Sequence, residues 1–436
     1  MKRTTLTLLA AMSTTVVLAA CSDENSGGGD GGNAKADEDP KTAVMQAFEN
    51  TNDAKTQTTT MSLDVDEELI RKALDASASG GASATDQANL QNFAELLPKT
   101  KVTIAQHSRD QALAEEKDLK DLDTAMTLHV GEGKVEIRMV EGGMYMRADV
   151  DKLGQETGLF TADQLRMGIT GGQSVPADDP NMQFLNKALE GEWIGITPEK
   201  MNELVGENGM SLEDLTKDAT GAQADISPEK QAEIQQDLKG FMDKHGEFTK
   251  EGDNVRVSIP VEKSWDDFAA IVNKSVTDPS EKMPALDEDT KKAIKDDAKA
   301  FIDIGLDGDQ LKSMKVDFRQ FVDWIDPESM EASDREEYQQ LKDQLGDSPL
   351  GMTVDYTQGD APAKPDQFAE VPQEMLDASQ SGMGNPGAPV PPADAAQPST
   401  AAEPPAGGEG LSEEEMAELD ELIAELEQQQ AEASNG

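Results

Sequence analysis

Apolar and polar residues alternate in several stretches of this chain. In TTTMSLDV, Thr59, Met61, Leu63 and Val65 fall on one face, and VTIAQHS at 102–108 repeats the pattern. The longest such run, AMTLHVGEGKVEIRMVEGGMYMRADV, breaks at GEG and EGG, which predicts three strands joined by tight hairpins. Met126, Leu128, Val135, Ile137, Met139, Met144 and Met146 then share one face, with Val130 and Ala148. Further strands are predicted in GEWIGI (191–196), EFTKEGDNVRVSIPVE (247–262), AFIDIGLDGDQLKSMKVDF (300–318) and GMTVDYTQ (351–358), with turns at EGDN and DGD.

Helical periodicity lies between these strands. SPEKQAEIQQDLKGFMDKH begins with Ser227 as cap and Pro228 in the first turn. SWDDFAAIVNKSV begins with Ser264 as cap and Asp267 three residues on, and LDEDTKKAIKDDAKAF is a third helix. An antiparallel sheet whose apolar face must be covered by interleaved helices is an α+β fold.

Composition sets the limits of that body. Residues 1–20 combine Lys2 and Arg3, an apolar run and Leu18-Ala19-Ala20, the plan of a secretory signal. Cys21 follows at once and is the only cysteine among 436 residues, so it has no disulfide partner in the chain. Residues 21–40 continue as a Gly/Ser/Asp/Asn tether, 41–376 form the periodic body, 377–410 are a Pro/Ala/Gly linker, and 411–433 end the chain as an acidic helix. That helix has a Ser412/Glu415 capping box and a narrow stripe of Met416, Leu419, Leu422, Ile423 and Leu426, which reads either as a helix for a protein partner or as a solvated tail.

The formal charge of −49 argues against nucleic acid as partner, because phosphate binding requires clustered lysine and arginine. It also argues against the body lying on anionic lipid. Catalytic strings are sparse. His107, His129 and His245 lack metal-ligand spacing, and no HExxH, GxSxG, Walker or GxGxxG string occurs. Asp303, Asp307 and Gly308 fall at calcium-loop positions, but Gly305 and Met314 occupy two ligand positions, so Gly308 reads as a hairpin residue. With 4% aromatic residues, sugar platforms are few, and Trp193, Trp265 and Trp324 read as core anchors. No cofactor, metal or enzymatic activity is expected.

Leu-Ala-Ala-Cys resembles the lipobox of bacterial lipoproteins, in which the cysteine thiol is acylated and the signal is cut just before it. The acylated cysteine, tether, long meander, Gly-x-Trp-Ile-x-Ile string (191–196) and late Asp-Gly hairpin together resemble actinobacterial LppX/LprG-type lipoproteins, similar in fold to LolA-like carriers. The resemblance implies a curved antiparallel half-barrel crossed by helices and enclosing an apolar cavity for acyl chains. It implies a cell-membrane anchor through Cys21 on the extracytoplasmic face, and a lipid ligand bound or transferred by the body. The chain departs from the pattern by extra helical material near 66–97, 151–190 and 198–245.

Twenty methionines suit a surface that accepts varied apolar ligands, so the seven meander residues are candidate cavity lining; an ordinary covered sheet would place apolar residues there too. The alternative function is an envelope scaffold that presents the C-terminal helix to a protein partner.

Overall fold

The computed structural model describes residues 39–78, 94–113, 121–170, 179–208, 228–276, 282–286, 288–330 and 332–376, with 92, 116 and 176 as single positions. Spatial proximity divides the chain into two units, Met1–Ser379 and Gln380–Gly436, and the second lies wholly outside the described residues. So do Cys21, the tether up to residue 38, the expected cap Ser227, the linker and the apolar stripe of the terminal helix, whereas Asp39 and Pro40, expected in the tether, begin the first helix.

Twelve strands form one open, mostly antiparallel sheet: β1 (Thr56–Val65), β2 (Thr100–Ser108), β3 (Leu122–Val130), β4 (Gly133–Val140), β5 (Gly143–Ala148), β6 (Ile194–Ile196), β7 (Glu247–Glu251), β8 (Asn254–Pro260), β9 (Lys299–Asp307), β10 (Gln310–Asp317), β11 (Leu350–Thr357) and β12 (Ala369–Glu370). The order is β12-β6-β5-β4-β3-β2-β1-β11-β10-β9-β8-β7. Two meanders, β1 to β6 and β7 to β11, are thus joined where β1 pairs antiparallel with β11, from Thr58 opposite Thr357 to Val65 opposite Leu350. The parallel pair β6–β12 closes one edge.

The expected meander appears with its hairpins. Between β4 and β5, Glu141 and Gly142 both have positive φ, 54° and 78°, the backbone of a type I′ turn. Gly308, at φ 64°, turns β9 into β10, so the calcium-like string 303–314 is a hairpin.

The helices are α1 (Pro40–Asn52), α2 (Glu67–Ala78), α3 (Val150–Thr157), α4 (Ala162–Thr170), α5 (Pro180–Leu189), α6 (Pro198–Asn208), α7 (Pro228–His245), α8 (Val261–Ser275), α9 (Glu288–Ala293), α10 (Gln320–Asp323) and α11 (Ala332–Leu345). Local chemistry starts several of them. Asp39 caps α1 by accepting from the Thr42 amide at 3.1 Å, and Asp179 caps α5 by accepting from Asn181 at 2.8 Å, each with proline next in sequence.

Three expectations are corrected. Ser264 does not cap α8: the strand β8 passes straight into the helix at Val261, and the Ser264 hydroxyl donates back to the Pro260 carbonyl at 2.7 Å from inside the first turns. The third helix ends at Ala293 rather than continuing to Phe301, because 299–301 are taken by β9 in pairing with β8. GEWIGI contributes only three strand residues, since Gly191 has φ 77° immediately after α5.

The main core lies between one sheet face and helices α1, α7 and α8, with Val44, Ala47 and Ile234 from the helices against Val255, Val257 and Ile304 of the sheet, all 0% exposed. A second cluster centred on Trp265 and Trp324 extends it under α8, and a small third one joins Val150, Leu185 and Leu189 of α3 and α5.

Candidate functional site

Cross-strand register shows that the apolar face is one continuous surface. Val255, Ile304, Met314, Val354, Met61, Val102, Leu128, Val135 and Ala148 are successive partners across nine strands, from β8 to β5. Partners directly opposite one another share a face. A neighbouring row carries Thr59, Ile104, Met126, Ile137, Met146 and Ile194, and a third carries Met139 beside Met144. All seven residues singled out from the sequence therefore lie on the same face as the core.

Their burial differs from that of the core. Along the first row exposure is 0% at Val255 and Ile304, 4% at Met314 and 1% at Val354. From Met61 onward every member is only half-buried, and Met146 in the next row is 40% exposed. Helices α1, α7 and α8 cover β7 to β11, whereas α3 and α6 reach β4 and β5 without burying the methionines between them. Soluble monomers seldom expose a contiguous apolar patch beyond a few hundred Å² without a binding role, and methionine adapts its shape to what covers it.

An apolar pocket of about 130 Å³, partly open to solvent, lies on the same face but under the covered half. Phe241, Phe268, Phe318, Phe321, Trp265 and Trp324 contribute to its wall. The indole N–H groups bond backbone carbonyls, Trp265 to Pro284 at 3.0 Å and Trp324 to Lys299 at 2.8 Å, so the rings present only apolar surface inward. A dry cavity near 150 Å³ accepts a benzene-sized molecule, so this pocket takes in only a short segment of an acyl chain. None of the seven predicted lining residues borders it. Sequence reading passed over it because its walls come from α7, α8, β8 to β10 and α10; the closely spaced aromatics Phe318, Phe321 and Trp324 were the available signal.

The opposite face carries ion pairs beside the buried side chains of Tyr145 and Val140. Trp193 has the guanidinium carbons of Arg138 and Arg147 at 4.5 and 4.7 Å from its ring centre, so it is a cation–π platform, while Trp265 and Trp324 are the expected core anchors. Glu136, 8% exposed, accepts from Arg147 and sits 3.1 Å from Lys134 Nζ. Burial pushes its pKa up, but the hydrogen bonds from Arg147 and Lys134 outweigh it and hold the carboxyl below its ordinary value.

The histidines are dispersed: His107 bonds Thr56 at 2.8 Å, His245 bonds Asp267 at 2.7 Å, and His129 lies between Lys101 and Lys134 in register. Among the described residues, no group of three or more His, Cys, Asp or Glu is placed to hold a metal, and no helix is long and apolar enough to cross a membrane.

Compared with models of protein families, with curated proteins and with solved structures, the chain shows no match.

Proposed function

We propose that this protein is a membrane-anchored extracytoplasmic lipoprotein, acylated at Cys21, whose body binds or transfers an acyl lipid in the cell envelope and is not a catalyst. The observation that carries the reading is the single apolar sheet face, sealed by helices over β8 to β11 and half-open over β1 to β6. Such a face on an open sheet suits the LolA-like half-barrel that the sequence resembles. The small cavity under the helices does not hold the ligand in this reading; the acyl chain lies along the methionines of β3 to β5. Anchoring through two or more acyl chains is stable, whereas one chain is marginal.

The test is solvent extraction of the protein purified from its native membrane, with mass spectrometry of the non-covalent lipid. Wild type should release acyl lipid and Met139→Glu should not, because a carboxylate in an apolar lipid contact is strongly disfavoured. The half-buried position should let the variant keep a cooperative unfolding transition. Lipid-free wild type would overturn the proposal and leave the scaffold role as the remaining function.

A further inference from the structure

A second, polar pocket of about 350 Å³ opens at the other end of β10, between the end of α1, the start of β1, the β9–β10 turn and the end of β11. Its size falls within the roughly 300–1,000 Å³ typical of small-molecule sites. Most polar groups in its inner wall have partners. The Thr51 hydroxyl donates to Ala47 O at 2.7 Å and accepts from Leu311 N at 3.1 Å. Thr56 bonds His107, and Tyr356 Oη donates to Met314 Sδ at 3.3 Å, which sets Tyr356 between this pocket and the apolar cavity that Met314 lines.

Gln57 is the exception. It is only 4% exposed, its Oε1 has no hydrogen-bond partner and is closed to solvent, and its Nε2 reaches Thr59 Oγ1 only at 3.4 Å. A buried carboxamide left in this state destabilises the empty protein, and a ligand that answers it recovers the loss.

We propose that this pocket binds a neutral polyhydroxyl molecule, with the Gln57 carboxamide turning into it to bond a ligand hydroxyl. Charge selects neutrality, because Asp307 and Lys312 supply one charge of each sign to the lining. Donor and acceptor chemistry selects hydroxyls. Gln310, Gln358 and Lys312 offer N–H donors, while Asp307 and Gln57 offer acceptors, and a hydroxyl serves both. Exchanging the oxygen and nitrogen of the Gln57 amide turns the unmet acceptor into an unmet donor, which a hydroxyl also satisfies. This site is independent of the lipid reading, since it uses none of the meander residues proposed to contact the acyl chain.

The experiment is titration calorimetry of the full-length acylated protein in a detergent without a sugar headgroup. The probes are maltose, myo-inositol and dodecyl maltoside below its micelle concentration. Saturable binding of at least one is expected, weakened at least tenfold in Gln57→Leu, whose melting temperature without ligand should equal or exceed that of wild type. Gln310→Ala, at the pocket edge, should weaken the same probe and supplies the answer if Gln57→Leu does not fold. Binding of maltose as tightly as dodecyl maltoside supports a free sugar, and binding of dodecyl maltoside alone supports a glycolipid headgroup. No binding of any probe, or equal affinity in the variants, would mean a pocket filled by solvent only and would overturn the proposal.

Discussion

Tyr145 lies across two glycines, and that arrangement fixes the far end of the sheet. A Cβ at Gly195, its register partner on β6, would stand 2.5 Å from Tyr145 Cδ1 and 2.9 Å from Met144 O. The ring is fully buried with Phe368 edge-on at 4.9 Å, so it cannot swing away. Gly195→Ala should therefore destabilise the body by about 1–3 kcal/mol in urea unfolding. Gly168→Ala, on helix α4 with nothing within 4 Å, should be neutral or stabilising by up to about 1 kcal/mol. Glu136 predicts a pH dependence. Its folded pKa is lowered, so its contribution is present above its unfolded pKa and is lost as pH falls through the folded value. Wild type should lose stability on acidification below the ordinary carboxylate range more steeply than Glu136→Gln. At neutral pH that variant should be weaker by roughly 1.5–3 kcal/mol, the range for hydrogen bonds to charged groups.

Helices α7 and α8 decide which part of the sheet is a core and which part is a surface. Ile234 of α7 is 0% exposed against β8, whereas Met126 of β3 is half-buried on the same side of the sheet. Ile234→Ala should cost about 2–5 kcal/mol, the range for deleting a fully packed aliphatic side chain. Met126→Ala should cost clearly less, because its site is already partly open to water. Comparable losses in chemical denaturation would mean that the methionine face is packed as tightly as the core, and would remove the support for a ligand there.

For the molecule as a whole, acidic groups outnumber basic ones, 87 to 38, so attraction of the body to anionic membranes cannot hold it at the bilayer. If Cys21 carries the anchor, Cys21→Ala should move the protein from the membrane fraction to the soluble one in cell fractionation, with the melting temperature of the body unchanged. An unmodified Cys21 on the mature wild-type chain, seen by mass spectrometry, would rule the anchor out.

Local pattern alone determined the meander strands and their turns. The period-2 alternation of 125–148 and the Gly-containing breaks at 131–133 and 141–143 act over a few residues, and the same holds for Gly308 at the β9–β10 turn. Alternation also placed the seven meander residues on one face, because neighbouring strands in register carry the same phase. The start of α8 was misplaced at this level: Ser264 with Asp267 reads as a helix start, whereas the pairing of β8 with β9 up to Pro260 leads straight into the helix at Val261. Tertiary structure decided what depends on distant segments. Pairing of β1 with β11 joins positions nearly the whole body apart, and the end of α1 meets the β9–β10 turn where Asn50 donates to Asp309 O at 2.7 Å. Those meetings close the main core, leave the methionines half-covered and bury Gln57 beside an open pocket. Hydrophobic pattern specifies that a face will be covered; which helix reaches it, and how far, is set by packing among elements that the local sequence does not bring together.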